Sequence, residues 1–476
     1  MELVTRVNAA LNAIVWGPPM LILLMGTGLL LTLITGAVQF RHLGTALREV
    51  LGKLRRKPEG GEGSVTPFQA VATALASTVG VGNIAGVATA LTLGGPGALF
   101  WLWVSGLLGM GTKFAEIVIA LHYRERDAAG IMRGGAMYTL RKRGLGWLGG
   151  IFALLTALAA FGIGNMVQAN SVAQSLNTTF GVSPTVVGIV LVVIAGAVIL
   201  GGIRRIAAFA EVLVPFMAVV YIVGGLVVVL THLGALPGAL RLVFEGAFTG
   251  TAATGGFAGS TIMLAMRYGV ARGLFSNEAG LGSAPMVHAA ANTDHPVRQG
   301  LYGIFEVFVD TILICTTTGL VILVTDTWHS GATGAALSVR AFEAGLPGTW
   351  GDIVVTTGLV LFAFSTLIGW SYYGETGIVY LLGTRAAIPY RLLWLVFIYL
   401  GSIGSLHLVW DVADTLNGLM AMPNLVSVLI SIPLLRRLQR EFFEERGGTR
   451  GLGTAARGGH PLGAGALPGA GGSGRA

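Results

Sequence analysis

The sequence predicts an all-α protein that crosses a membrane many times. Its 476 residues are 54% hydrophobic and only 11% charged, whereas a soluble globular chain carries roughly 25% charged residues. The mean hydropathy is +0.76. The apolar residues form long runs, and the basic residues are concentrated in alternate connections between those runs. These observations place the functional site inside a bundle of membrane helices.

The membrane crossings are predicted from apolar runs close to the roughly 20 residues that a spanning helix needs. Eleven runs qualify, and we expect the first to span the membrane rather than to be cleaved as a signal peptide. The runs lie at 18–40, 67–93, 97–121, 148–176, 184–200, 206–230, 250–266, 300–324, 353–382, 392–406 and 413–435.

The basic residues predict the orientation of the chain. Alternate connections hold 26 of the 30 Lys and Arg residues, and the connections between them hold 3. Basic loops stay on the cytoplasmic side of a membrane, so the amino terminus should lie outside and the carboxyl terminus inside. The net charge of +8 therefore reflects the membrane topology and the attraction of basic loops to anionic lipid headgroups. No nucleic acid is expected as a partner.

The chain divides into a transmembrane domain, 1–440, and a Gly- and Ala-rich tail, 446–476. The tail has too few large apolar residues to bury a core, which predicts a disordered cytoplasmic segment. Within the domain, 18–40 is an extra helix, 66–231 holds a first group of five helices and 250–435 holds a second.

Two apolar spans are interrupted by glycines and small polar residues: ASTVGVGNIAG at 76–86 and TGTAATGGFAGSTI at 249–262. Glycine pairs alone are typical of close helix packing, but Ser, Thr and Asn beside them favour broken helices. Free backbone groups at membrane depth are tolerated only where they face protein, water or a ligand. Each break opens one group of five, and the groups enter from opposite sides, which predicts a secondary transporter built from inverted repeats.

Seven blocks along 60–440 resemble the alanine or glycine:cation symporter family, the sodium:alanine symporters. The resemblance implies a leucine-transporter-like 5+5 inverted repeat with broken helices and one extra amino-terminal helix. It implies sodium-coupled symport of alanine and glycine into the cell, across the plasma membrane of a prokaryote. The alternative is a proton-coupled or differently specific carrier of the same fold, and a channel is less favoured. The blocks are STVGVGNIAGVA (77–88), GGAMYTL (134–140), GNMVQANSVA (164–173), FSNEAGLGSAPMVHAAA (275–291), HPVRQG (295–300), FEVFVDTILICT (305–316) and FSTLIGWSYYGE (364–375).

An amino acid presents a carboxylate and an ammonium group, and each needs a different partner. Free backbone amides at the start of a half-helix bind anions, so the amides of Val81 and Gly82 are the expected carboxylate site. Carbonyl oxygens around Gly255 and Gly256, beside Phe257, are expected to accept hydrogen bonds from the ammonium group.

The resemblance implies two sodium sites made of oxygen ligands. The substrate carboxylate is itself a ligand of the first, so that each solute binds better when the other is present. The hydroxyls of the second sodium site could instead donate hydrogen bonds to backbone carbonyls of their own helix. The first site is expected to use Thr78 and Asn83, and the second Ala76, Val79, Ser365 and Thr366; Thr78 and Thr366 are also expected to contact the substrate.

The walls of the pocket are predicted from helical spacing. Trp370 lies four residues after Thr366 on the same helical face, so its ring could roof a small cavity and reject large side chains. Asn165 and Gln168 could present amides to the same cavity. The alternatives are ordinary aromatic packing and amides that join neighbouring helices.

Charged residues within the spans are costly unless they are partnered. Glu306 and Asp310 share one helical face, and Asp310 is a candidate coupling residue, with a structural pair to another helix as the alternative. Lys113 and Glu116 are spaced to pair with each other, and we expect a structural role for them, as for Glu211.

Glu278 is a candidate gate residue. Ser276 is expected to cap a helix whose first turn contains Glu278, and Glu278 could pair with an arginine on the cytoplasmic side. No enzyme is expected, because the sequence has no HExxH motif, no paired aspartates in a GxGD setting and no Cys/His cluster. ATP-driven transport is not expected either, because GxxxxGK[ST] is absent. Sodium is expected as a co-transported ion rather than a cofactor. The oligomeric state is left open, a monomer included.

Overall fold

The computed structural model describes residues 2–52, 62–249, 262–404 and 407–449. These residues form a helical bundle with one short antiparallel pair of strands, β1 (Glu125–Arg126) and β2 (Met132–Arg133). The strands lie in a connection that is predicted to be cytoplasmic. The functional site must therefore be built from helices.

The first half of the bundle contains twelve α-helices within the described ranges. They are α1 (Glu2–Val15), α2 (Pro18–Ile34), α3 (Val38–Arg41), α4 (Leu43–Gly52), α5 (Pro67–Thr78), α6 (Val87–Gly94), α7 (Gly97–His122), α8 (Ala136–Lys142), α9 (Gly146–Ala159), α10 (Val167–Phe180), α11 (Pro184–Ile199) and α12 (Gly202–Thr231).

The second half follows in the same way. Its helices are α13 (Leu236–Phe248), α14 (Ile262–Asn277), α15 (Pro285–His288), α16 (Pro296–Val307), α17 (Thr316–Val324), α18 (Gly334–Gly345), α19 (Trp350–Leu382), α20 (Ala387–Ile403), α21 (His407–Leu419), α22 (Ala421–Leu429) and α23 (Ile432–Thr449). Short 3-10 turns lie at Leu233–Ala235, Thr327–His329 and Thr384–Ala386.

Within the described ranges, three helices contain wider, π-helical turns. Such turns leave backbone groups less regularly paired and are frequent at functional sites. Each contains one of the polar residues singled out from the sequence. The segments are Gly82–Gly86, Ala160–Met166 and Phe308–Cys315.

The first predicted break is present. Helix α5 ends at Thr78, and the chain restarts as a helix at Gly82 with its axis bent by 52°. The second predicted break, at 249–262, lies almost wholly outside the described residues, which resume at Ile262. Its conformation therefore stays a prediction.

The start of α5 is fixed by a capping box. The Thr66 hydroxyl accepts a hydrogen bond from the Gln69 backbone amide at 3.1 Å, and the Gln69 side chain accepts one from the Thr66 amide at 3.0 Å. Pro67 occupies the first turn, where its missing amide hydrogen costs nothing. The Gln69 amide also donates to Glu211 of α12 at 3.1 Å, so Glu211 makes a structural contact.

The number of spans agrees with the sequence only in part. Among the described residues, seven helices are long and apolar enough to cross a membrane, and nine if each of two bent pairs is one span. Helix α11 is apolar but has only 16 residues, and most of the predicted run at 250–266 is not described. The total of eleven, like the domain boundaries, stays a prediction.

Helix α23 extends into the segment that was predicted to be a disordered tail. Helix α23 continues to Thr449, so the backbone at 446–449 is helical where a disordered tail was expected. The part Ile432–Glu444 is bent by 62° from Val409–Leu429. The remainder of the predicted tail, 450–476, lies outside the described residues.

Small residues allow the central helices to approach closely. Helix α7 packs along both α14 and α16. A Cβ at Gly303 of α16 would overlap the Ile117 side chain of α7, and one at Gly273 of α14 would overlap the Ser105 hydroxyl. Close packing of this kind is what holds membrane helices together, since lipid provides no hydrophobic drive for their association.

Candidate functional site

A small buried cavity lies at the break between α5 and α6. Its volume is about 20 Å³, which is room for roughly one water molecule, so any larger ligand requires the lining to move apart. Phe275, Ser276 and Glu278 line it from the end of α14. The residues predicted for the substrate site that line it are Thr78, Val81, Gly82, Gln168, Thr366 and Trp370.

The backbone carbonyl of Val79 meets two hydroxyls of α19. Thr366 Oγ1 lies 3.3 Å from this oxygen and Ser365 Oγ lies 3.4 Å from it. Ser365 is also 2.8 Å from the Phe362 carbonyl of its own helix. A hydroxyl has one hydrogen, so the back-bonding alternative fits Ser365 better than Thr366. Three of the four residues predicted for the second sodium site are thus in contact, and Ala76 is buried nearby in α5.

Thr78 and Asn83, predicted for the first sodium site, occupy different positions. Thr78 lines the cavity, but its hydroxyl lies 3.2 Å from the Ala74 carbonyl of its own helix. The Asn83 side chain is fully buried and its Oδ1 accepts a hydrogen bond from the Gly80 amide at 2.9 Å. Asn83 therefore stabilises the broken segment, and it does not line the cavity.

Asp310 links three separate segments of the bundle. One carboxylate oxygen accepts a hydrogen bond from Asn83 Nδ2 at 2.7 Å, and the other accepts from Ser276 Oγ at 3.0 Å and Thr311 Oγ1 at 2.8 Å. These donors belong to the break after α5, to α14 and to the π-helical turn at Phe308–Cys315. The carboxylate thus connects the broken segment to the end of α14, which also lines the cavity.

Trp370 lines the cavity, and its orientation is fixed from two sides. Its indole Nε1 donates to Glu278 at 2.9 Å. On the other side it packs on Gly164, where a Cβ would overlap the Trp370 side chain. Only glycine at 164 allows α19 to come this close to the π-helical turn Ala160–Met166.

The expectation for the sequence around Glu278 was wrong. Ser276 is near the end of α14 rather than at the start of a helix, and Glu278 follows that end with a left-handed backbone angle, φ 55°. The Glu278 carboxylate accepts hydrogen bonds from Ser283 and Trp370. Within the described part of the chain it forms no ion pair with an arginine.

Only one of the two side-chain amides predicted to face the cavity lines it. Gln168 lines it and donates to the Ile163 carbonyl at 2.9 Å, while its Oε1 is buried without a donor among the described residues. Asn165 donates to the Trp394 carbonyl at 2.8 Å and does not line the cavity. Gly255, Gly256 and Phe257 lie outside the described residues.

Lys113 pairs with a different partner from the one predicted. Its Nζ lies 3.2 Å from Glu306 Oε1 of α16, with both side chains buried, and not against Glu116. Glu116 accepts a hydrogen bond from Asn424 instead. The three-residue spacing of Lys113 and Glu116 on α7 therefore predicted the wrong pair, because both side chains face neighbouring helices that supply other partners.

His288 extends this charged cluster, which the sequence did not reveal. His288 Nε2 lies 3.1 Å from the second Glu306 oxygen, and Gln299 Nε2 lies 2.8 Å from His288 Nδ1. All three side chains are buried. The cluster joins α7, α15 and α16.

A second buried ionic network was also missed. Glu375 of α19 lies between Arg133, at 2.9 Å, and Arg391, at 2.7 Å, and Arg133 also pairs with Asp127 at 2.6 Å. The signal that could have revealed it is Glu375 itself, a lone carboxylate inside the apolar run 353–382. A lone carboxylate of this kind is expected to have a partner of opposite charge on another segment of the chain.

These features define a class of protein: a membrane carrier with a broken helix, a small buried cavity at the break and clustered intramembrane charges. The solved structure of MhsT in complex with L-phenylalanine superimposes with a TM-score of 0.56 at 13% identity, over 80% of this chain and 99% of that one. The all-α, leucine-transporter-like fold is thereby confirmed.

The chain belongs to the sodium:alanine symporter family, whose family model matches residues 1–451. The sodium/alanine symporter AgcS of Methanococcus maripaludis is 49% identical over 439 residues, which is 90% of this chain and 95% of that protein. The amino-acid carrier protein AlsT of Bacillus subtilis is 37% identical over 425 residues, 89% of each chain. The protein is a multi-pass membrane transporter, as the resemblance implied.

The contacts of Asp310 generate a prediction. In Asp310→Asn one acceptor becomes a donor that faces the Asn83 and Ser276 donors, and hydrogen bonds to a charged group contribute about 1.5–3 kcal/mol each. We expect the melting temperature of the purified protein to fall by at least about 4 °C and its affinity for alanine to fall as well.

The matched control is Asp326→Asn, since Asp326 is exposed and has a left-handed backbone that asparagine tolerates. It should melt like the parent chain. Unchanged melting and unchanged alanine affinity in Asp310→Asn would show that Asp310 does not hold the broken segment in place.

Proposed function

We propose that this protein imports small neutral amino acids, alanine and glycine, into the cell by sodium-coupled symport. The observation that carries the proposal is the juxtaposition of a small buried cavity with the Val79 carbonyl and the Thr366 hydroxyl at a helix break. The family description, and the sodium and alanine in the printed name of the Methanococcus relative, support it.

The substrate carboxylate is proposed to bind the backbone amides of Val81 and Gly82. Both residues line the cavity at the start of the second half-helix. The first amides of a helix have no partner within the helix and carry its positive dipole end. Glycine at 82 also leaves room, since a Cβ there would lie 3.3 Å from the Phe275 ring.

The substrate ammonium group is proposed to donate to Gln168 Oε1, in addition to the carbonyls around Gly255 and Gly256. The Gln168 oxygen is buried beside the cavity and has no donor among the described residues. An unpaired buried acceptor costs about 1–3 kcal/mol. A bound ammonium group would remove that cost.

Sodium is proposed to bind at the two sites predicted from the sequence, with the second better supported. Thr366 Oγ1 and the Val79 carbonyl already meet there, alongside Ser365 and with Ala76 nearby. The first site, with Thr78 and the substrate carboxylate, would need Asn83 to exchange its bond to Gly80 for the ion. Asp310 then contributes to coupling by holding Asn83, and Glu278 contributes to gating by holding Trp370.

Sodium coupling would provide the energy for uptake. Zwitterionic alanine is neutral, so each sodium ion carries one net charge inward. A membrane potential of 100 mV contributes about 2.3 kcal/mol per charge, which supports roughly a 50-fold accumulation. The proposed inward direction rests on an inward sodium gradient and a negative interior potential. The charge distribution of the loops supports the proposed cytoplasmic location of the carboxyl terminus.

A proton-coupled carrier is the second candidate, and one observation favours it. Lys113, His288 and Glu306 form a buried cluster of titratable groups within the bundle. Such groups at membrane depth mark proton relays in many transporters. The cluster does not line the cavity, which favours sodium as the coupling ion.

The proposed function is tested by alanine binding to the purified protein at equilibrium. Linkage requires that sodium and alanine raise each other's affinity by the same factor. We expect alanine affinity to fall when sodium is replaced by choline at constant ionic strength and pH. Equal affinity in both salts, with affinity that follows pH instead, would favour the proton-coupled carrier.

Replacing Thr366 tests the second sodium site. Thr366→Ala removes an oxygen ligand beside the Val79 carbonyl, so the sodium concentration for half-maximal alanine binding should rise roughly tenfold. The control is Thr317→Ala, whose exposed hydroxyl bonds back to the Leu313 carbonyl at 2.8 Å. If both variants keep the parent sodium dependence, Thr366 is not a sodium ligand.

Replacing Trp370 tests the size limit of the pocket. In Trp370→Ala the roof of the cavity is removed, so leucine should compete with labelled alanine, which it should not do in the parent chain. Trp370→Phe keeps a smaller ring and covers the case in which the alanine variant is unstable. The control is Trp350→Ala, since Trp350 is exposed at the start of the same helix. Unchanged selectivity in both Trp370 variants would contradict the role as roof.

A further inference from the structure

A cleft with basic walls lies at the end of α2, and it shares no lining residue with the cavity at the break after α5. Its volume is about 440 Å³, within the roughly 300–1,000 Å³ of small-molecule sites. It separates the segment 34–42 from helix α23. We call it the basic cleft, and its charged and aromatic walls are Arg41, His42, Arg436, Arg440, Phe443 and Glu444.

Three contacts hold the two walls of the basic cleft together. The His42 and Phe443 rings are stacked with centroids 4.1 Å apart. Gln439 Nε2 donates to the Thr35 carbonyl at 2.7 Å. Leu435 of α23 is buried against the bundle. The cleft is therefore a formed feature of the fold rather than a gap between loose segments.

The basic cleft has an excess of positive charge. Arg41 and Arg436 form no ion pair with the carboxylates of the described residues. Glu444 lies 4.0 Å from Arg440 Nε with both side chains mostly exposed, and such pairs contribute little. Burial and the neighbouring Arg41 charge lower the pKa of His42, so its ring is neutral at pH 7. The positive charge thus comes from the three arginines, which stay protonated.

The position of the basic cleft is that of a membrane surface. Helix α2 belongs to the segment Thr5–Ile34, which is long and apolar enough to span a membrane. The segment ends at Ile34, which lines the cleft. Leu33 and Phe40, on either side, are 70% and 55% exposed. Helix α23 leaves the direction of the preceding span by 62°. Apolar side chains that suit acyl chains therefore lie directly beside arginines that suit a phosphate group.

We propose that the basic cleft binds the headgroup of an anionic phospholipid, with its phosphate between Arg41 and Arg436. Guanidinium groups match phosphate oxygens with two parallel hydrogen bonds, and basic pockets at the membrane surface bind anionic lipid headgroups. The exposed Leu33 and Phe40 favour a lipid over free phosphate, because only a lipid would cover them. A bound lipid would join α23 to the end of α2.

The proposal is tested by native mass spectrometry of the full chain in detergent, with added palmitoyl-oleoyl phosphatidylglycerol or phosphatidylcholine. We expect one phosphatidylglycerol to be retained in preference to phosphatidylcholine. In the variant Arg41→Gln/Arg436→Gln/Arg440→Gln the affinity for phosphatidylglycerol should fall by on the order of a hundredfold, since each basic residue near an anionic lipid contributes about a fivefold factor.

The matched control is Arg204→Gln/Arg205→Gln/Arg385→Gln, which removes three exposed arginines from the same predicted face. It should keep the preference. An equal loss in both triple variants, or no loss in either, would overturn the proposal. Displacement of phosphatidylglycerol by millimolar inorganic phosphate would show a free-anion site instead. If the cleft variant does not fold, the single variants Arg41→Gln and Arg436→Gln should each lose about fivefold, and no loss in either would overturn the assignment.

Discussion

The constraint on which the structure depends is that every backbone polar group at membrane depth needs a partner. The break after α5 frees such groups, and the bundle supplies partners from distant helices. Asn83 accepts from the Gly80 amide, and Thr366 donates to the Val79 carbonyl. Asp310 in turn holds Asn83. Backbone groups of this kind are what a zwitterion and a sodium ion need, so the break that is costly for folding is where we propose the binding site.

The intramembrane charges follow the same logic. An isolated charge at the bilayer centre is costly, and removing one partner of a buried pair costs about 3–5 kcal/mol. Lys113 pairs with Glu306, and Glu375 pairs with two arginines, in each case between different segments of the bundle. These networks fix the positions of the helices around the cavity. Their residues do not line the cavity, so they support the site without contacting a ligand there.

The sequence predicted what depends on local pattern. The break at 76–86, the contact of Val79 with Thr366 and the place of Trp370 followed from glycine spacing, the family resemblance and helical periodicity. It failed where the partner comes from a helix far along the chain and the family resemblance implies no contact, in contrast to Val79 with Thr366, for which it did. Three-residue spacing suggested a bond between Lys113 and Glu116, but both face into the bundle, where Glu306 and Asn424 are closer. Ser276 was expected to begin a helix, and only the fold shows that α14 ends there.

The central claim, that sodium binding at the broken helix drives amino-acid uptake, is tested most directly by labelled-alanine uptake into proteoliposomes. Three conditions are compared: an inward sodium gradient, an inward proton gradient without sodium, and equal sodium on both sides. We expect accumulation above equilibrium with the sodium gradient, enhanced by a negative interior potential, and none in the other two conditions at zero membrane potential. Accumulation driven by the proton gradient alone would contradict it.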